Sequence, residues 1–147
     1  MEDVTLLKRM PLFKQLDHLE LVQVSKLTRH RRFKAGEKPI EENSPGTALF
    51  IVKSGRFKAY AGSGANPTPL ATFAEGDSFG ELALIDHGPR SATVEAEEES
   101  ILLEFDEAAF RTLLDYSEAL RSKLLESLVE SLAQKLRRTN DRLAQLL

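Results

Sequence analysis

The sequence predicts an α+β chain in which helices at both ends flank one antiparallel β unit. Three observations carry this reading. All eight glycines and five of the six prolines fall between Ala35 and Arg90. Short β-prone runs lie between these breakers at a regular short spacing, the pattern of an antiparallel barrel, roll or sandwich. Outside that stretch, capping patterns precede apolar residues at helical spacing.

The chain has 147 residues, 41% hydrophobic and 29% charged, enough for a globular domain with its own core. Its net charge of −3 offers no global field for nucleic acid. The absence of cysteine excludes disulfides and thiolate chemistry, and is compatible with any compartment. The start, Met1-Glu2-Asp3-Val4, is acidic and lacks an apolar signal core, and no run approaches a membrane span. A cytoplasmic protein without a membrane partner is expected. His18, His30 and His87 show no metal-ligand spacing, and neither a Walker phosphate loop nor a Gly-x-Ser-x-Gly elbow is present. Gly62-Ser63-Gly64 reads as a hairpin tip. The expectation is therefore no enzyme, no catalytic residues, no metal and no catalytic cofactor.

Taken in order, residues 4–10 suggest a short helix ended by Pro11. Asp17-His18-Leu19-Glu20 is a capping box, and Leu16, Leu19, Val22 and Leu27 set a helix over 17–28. Phe13 and Leu16 are expected to pack this N-terminal unit on the sheet. Lys26, Arg29, Arg31, Arg32 and Lys34 place five cations in nine residues. With only Phe33 to stack a base, they read as a solvated helix end and first strand rather than a nucleic-acid patch. Strands are expected over 48–53, 56–61, 70–73, 91–96 and 101–105. Ser54-Gly55 turns one hairpin, residues 63–69 form a longer polar connection, and Glu97-Glu98-Glu99 is a solvated turn.

Asp106 is the expected N-cap of a helix through Leu114, and Ser117 that of a long helix running towards Leu147. In that helix Leu125, Val129, Leu132, Leu136, Thr139, Leu143 and Leu146 alternate by four and three, a coiled-coil seam with one polar residue inserted. Leu120, Leu124 and Leu128 form a second stripe suited to the β unit. One face of the helix thus serves its own domain and the other a partner copy.

The stretch that organises the chain is 79–94. It reads Phe-Gly-Glu-Leu-Ala-Leu over 79–84 and, after Gly88, Pro-Arg-Ser-Ala-Thr-Val over 89–94. A glycine followed by a short helix start exposes backbone N–H groups that stabilise an anion. Arg90 adds a permanently charged, planar donor on the returning segment. With the acid of Glu81 at the mouth, the loop suits a ligand bearing a phosphate and a sugar hydroxyl. The alternatives at this point are a Glu81–Arg90 ion pair and a plain strand start at Ser91.

This run resembles the phosphate-binding cassette of the cyclic-nucleotide-binding domain family. Pro11-Leu12-Phe13 before a helix, the glycine spacing and the long C-terminal helix extend the resemblance over nearly the whole chain, which is nearest the sensor half of catabolite activator protein-like regulators. The resemblance implies a jelly-roll-like antiparallel β-roll. It implies a single domain over 1–147: N-terminal helices over 1–29, the roll over 30–105 with the cassette at 79–94, and a hinge and dimer helix over 106–147. It also implies that Glu81 accepts from a ribose 2′-hydroxyl, that Gly80 lets the backbone approach, and that the amides of Leu82 and Ala83 hold a cyclic phosphate. Arg90 would pair with that phosphate and Ser91 would add a contact. Leu70 and Phe73 either line the apolar side of the pocket or belong to the core. Thr139 and Asn140 match the hydroxyl residue and polar neighbour that meet the adenine from two subunits; Thr139 as a register-setting polar residue is the other reading. The function expected is a homodimeric sensor for cAMP, with cGMP the other nucleotide, and the alternative is an interaction module that has lost its ligand. No helix-turn-helix follows the long helix in this sequence, so DNA recognition is not carried over.

Overall fold

The computed structural model describes Glu2–Asp86 and Gly88–Leu146; His87, inside the predicted cassette, lies outside the described residues. Helix α1 (Glu2–Lys8) leads through a 3-10 turn at Pro11–Phe13 to α2 (His18–Leu27). The capping box forms as expected: Asp17 Oδ1 accepts from the Glu20 amide at 2.8 Å, and the Asp17 amide donates to Glu20 Oε1 at 2.9 Å. The buried face of α2 is the expected one only in part, with Leu16 buried and Leu27 packed against the core. Leu21 and Val24 face the core, whereas Leu19 is 75% exposed. The cap fixes where the helix starts, and from there positions 21 and 24 point inward.

The β unit is made of β1 (Arg29–Phe33), β2 (Leu49–Ser54), β3 (Phe57–Ala61), β4 (Thr68–Phe73), β5 (Ser78–Phe79), β6 (Thr93–Ala96) and β7 (Ser100–Phe105). They form two antiparallel sheets, ordered β1-β7-β2-β5 and β4-β3-β6, which do not close into a barrel. This is the expected roll. Strand β2 reads as an unbroken apolar run because both its faces are covered. Leu49 and Ile51 pack with the helices, while Phe50 and Val52 pack against the second sheet. Phe13 and Leu16 are fully buried in the first cluster, and the Phe13 ring meets Phe105 edge-on at 5.5 Å.

Three strands depart from the sequence reading. Strand β4 starts at Thr68, two residues before the expected start, through its pairing with Tyr60 and Ala61 of β3. The two-residue β5 was not expected; it exists through its pairing with Phe50 and Ile51 of β2. Strand β6 starts at Thr93 rather than Ser91, because the backbone of Arg90 is engaged by the loop between β1 and β2. The basic run spans the last turn of α2, the exposed strand β1 and the residue after it, and on β1 Arg29 and Arg31 share Glu104 at 2.9 and 3.0 Å and Arg31 stands over the Phe33 ring.

Past the roll, α3 (Glu107–Tyr116) and α4 (Glu118–Leu146) follow. Asp106 Oδ1 accepts from the Ala109 amide and Ser117 Oγ from the Leu120 amide, so both predicted caps are made. At 29 residues, α4 is about 43 Å long. Its inner stripe, Leu120, Leu124 and Leu128, is buried with α3 and the β2–β7 face. Its seam is exposed throughout, and every described residue after Ser131 is exposed.

Candidate functional site

The cassette begins where β5 ends. Gly80 has φ 85 and ψ 15, a left-handed conformation that glycine adopts without steric cost. It caps the 3-10 turn Glu81–Leu84. Leu84 anchors this turn from below: it is buried in one cluster with Leu49 of β2, Phe110 and Leu113 of α3, and Leu124 and Leu128 of α4. The turn is therefore set by a helical residue pattern at one end and a glycine-only backbone at the other.

Arg90 returns to the same place. Its Nη2 donates to the Ala48 carbonyl at 2.9 Å. A Cβ on Gly80 would lie 3.2 Å from Arg90 Nη1, so the guanidinium sits against the first residue of the cassette turn. The backbone of Arg90 is tied down as well. Its N–H donates to the Ser44 carbonyl at 2.9 Å, and its carbonyl accepts from the Asn43 amide at 2.8 Å. Among the described residues no carboxylate lies within ion-pair reach of Arg90. Partial burial alone pushes its pKa below the usual guanidinium value, and the hydrogen-bond partner of this half-buried cation is a neutral carbonyl. Such a group gains from an anion. The alternative of a Glu81–Arg90 pair is not what the side chains do here.

The other expected site residues divide into two groups. Glu81, Leu82, Ala83 and Ser91 stand with Gly80 and Arg90 at the cassette. The Leu82 amide donates to no described residue, whereas the Ala83 amide closes the turn onto the Gly80 carbonyl at 3.1 Å. Ser91 is exposed. The Phe73 ring lies 4.8 Å from that of Phe79, tilted by 31°, at the edge of the inter-sheet core, and Leu70 is exposed. Thr139 and Asn140 stand apart on the exposed half of α4. The Thr139 hydroxyl donates back to the Lys135 carbonyl at 2.9 Å, and among the described residues no hydrogen bond joins either residue to the cassette.

A wider cavity, about 1000 Å³, lies at the second sheet and its hairpin. Several of its polar groups are already paired. Tyr60 donates to Glu95 at 2.9 Å, Lys58 stands 3.5 Å from the same carboxylate, and the Gly62 amide donates to Glu42. Burial and the neighbouring Glu95 push the Tyr60 phenol up. None of the expected site residues lines this cavity. The charge of Arg90, unpaired among the described residues, makes the cassette rather than this cavity the candidate site.

Sequence reasoning missed the loop over 43–48 that backs Arg90. Ala48 acts through its carbonyl, which no side-chain pattern reveals, and Pro45-Gly46 reads only as a turn. Among the described residues no cluster of three or more His, Asp or Glu could hold a metal ion, and no helix is long and apolar enough to cross a membrane.

A glycine-capped turn, a half-buried arginine beside it and a two-sheet roll under a long helix are the features of a cyclic-nucleotide-binding module. The chain belongs to this family: the family model described as "Cyclic nucleotide-binding domain" matches residues 30–117. Over 120 residues, 81% of the chain, it is 31% identical to a cAMP-dependent protein kinase regulatory subunit of Blastocladiella emersonii, of which it covers 30%. It is 29% identical over 97% of its length to a CRP-like cAMP-activated global transcriptional regulator of Mycobacterium tuberculosis, covering 62% of it. The Thermus thermophilus catabolite activator protein superposes with a TM-score of 0.82 at 28% identity, over 93% of this chain and 63% of that one. The chain spans about a third of the length of the kinase regulatory subunits it matches.

Proposed function

We propose that this chain is a regulatory sensor that binds cAMP in the cassette and answers by rearranging α4 within a homodimer. The single observation that carries the reading is Arg90: a half-buried cation, without a carboxylate partner among the described residues, held beside the glycine-capped turn. In this reading Arg90 pairs with the cyclic phosphate, and the free Leu82 amide donates to it. Glu81 accepts from the ribose 2′-hydroxyl, Gly80 leaves room for close approach, and Ser91 adds a hydroxyl. Ala83 contributes by closing the turn, and its amide reaches the phosphate only if that turn opens. The names of the kinase subunits and of the activated regulator support cAMP as the nucleotide.

Two features support the response. Leu84 ties the cassette turn to α3 and α4 in one packed cluster, so displacement of the turn is felt at the base of the long helix. The exposed seam offers a self-complementary apolar strip for a parallel pairing of two α4 helices, which would bring Thr139 and Asn140 of each copy towards the other's bound base. A ligand drives this change only through different affinities for the two arrangements.

Titration calorimetry with cAMP and cGMP tests the reading. Saturable binding of cAMP to the parent chain, stronger than that of cGMP, is expected. No heat with either nucleotide, from protein shown to be folded, would leave an interaction module that has lost its ligand.

A further inference from the structure

Six of the eight glycines have positive φ, so their backbone calls for glycine. Gly46 does not. What makes it special is its surroundings. A Cβ there would stand 2.5 Å from Arg90 Nε, 2.9 Å from Nη2 and 3.0 Å from Cζ. All three nearest atoms belong to the guanidinium of Arg90. Gly80 faces the other end of the same group, with its Cβ position 3.2 Å from Nη1 and 3.0 Å from the Ala48 carbonyl oxygen. The Arg90 head is thus contacted by Gly46 and Gly80 and fastened by one hydrogen bond to Ala48. The loop carrying Gly46 is itself registered on Arg90 by the Asn43 and Ser44 backbone bonds.

We propose that Gly46 is a positioning residue for the anion site: with Gly80 and the Ala48 carbonyl it forms a berth that holds the Arg90 guanidinium in place before any phosphate arrives. The physical gain is preorganisation. An arginine head left free loses rotamer freedom on binding, and one already seated does not. The berth also holds a half-buried cation in place without a carboxylate that would compete with the ligand. Because the backbone at Gly46 accepts any residue, an alanine there leaves the loop conformation open and expels only the guanidinium. Gly80 cannot serve as the probe, since a side chain there strains the backbone as well.

The inference rests on the cyclic-nucleotide reading for its ligand, and the experiment separates the two. In the full chain without ligand, the Arg90 side-chain Nε–H resonance, assigned by its loss in Arg90→Ala, should move in Gly46→Ala while the amide spectrum elsewhere is retained. An unmoved signal overturns the berth whatever the protein binds. With cAMP as the probe, Gly46→Ala should bind at least about tenfold more weakly than the parent, the loss of one charge-assisted contact. In an Arg90→Ala background the same substitution should change nothing, since the group it expels is gone. Equal affinity of Gly46→Ala and parent, or the same penalty in both backgrounds, overturns the positioning role. A parent chain that fails to bind cAMP removes the proposed function instead, and the resonance still decides whether Gly46 seats Arg90.

Discussion

The cassette and the outer half of α4 hold the two groups of residues proposed to meet the ligand, and they are built on opposite terms. The cassette is complete within one chain. Its turn is pinned by Leu84 in the core, and its arginine is seated by a neighbouring loop. The outer half of α4 has no such support: beyond Ser131 every described residue is exposed, and Leu136 is 60% exposed where Leu128 is 4%. A lone helix of that kind depends on intrinsic propensity, which rarely suffices without packing. In the proposed reading, folding of one chain alone fixes the phosphate end, and the base end forms only when two α4 helices pair.

The largest expected effects lie within α4 itself, where the two faces should answer to different measurements. Leu124→Ala should lower unfolding stability in urea by about 2–5 kcal/mol, because a fully buried leucine leaves a cavity among packed neighbours. Leu132→Glu with Leu136→Glu should leave the far-ultraviolet spectrum of the roll intact yet turn a dimer into a monomer in sedimentation. A parent chain that is monomeric at high concentration would break the contrast, since the seam would then be a solvated face.

The next effect is at the cassette. Arg90→Ala should weaken cAMP binding at least about tenfold, from a charged hydrogen bond of roughly 1.5–3 kcal/mol, without unfolding the domain. Arg90 makes no ion pair among the described residues, so its removal strands one carbonyl and no buried charge. Unchanged affinity would remove the cassette from the mechanism, whatever the seam does.

The two regions also differ in how they can be read from sequence. Caps are local, so Asp17 with Glu20, Asp106 and Ser117 announced their helices and were found making the expected bonds. The seam and the inner stripe of α4 follow from periodicity, and the exposure along the helix separates them as the spacing did. The cassette was legible because a glycine, an acid and an arginine at fixed positions have few other uses together. What escaped depends on distant chain segments. Strand β5 exists only through β2, and Leu19 of α2 lies outside a core whose position the helix sequence does not contain. The carbonyl of Ala48 and the bare Cα of Gly46 have no side-chain signature at all, although they decide where Arg90 sits.

The smallest effect is the sharpest test of whether the two regions act on one ligand. Adenine presents a 6-amino donor, and guanine a 6-oxo acceptor with a 2-amino donor. A threonine hydroxyl both accepts and donates, and an asparagine amide does the same, so side-chain chemistry alone does not rank the nucleotides. In the single chain the Thr139 hydroxyl is spent on the Lys135 carbonyl. That is a local bond available to any helical threonine, and it leaves the oxygen free to accept. In a paired helix the same oxygen can receive the adenine amino group. The expected preference of the parent is therefore modest, cAMP over cGMP by about tenfold, or about 1.4 kcal/mol. Thr139→Ala should narrow that gap more than it lowers overall affinity, because the contacts of Arg90 and Glu81 lie in the other region and remain. Competition binding with both nucleotides, on parent and variant, reads the gap directly. A gap that survives the substitution would assign Thr139 to setting the register of the helix pair and return the whole of nucleotide choice to the cassette and its surroundings.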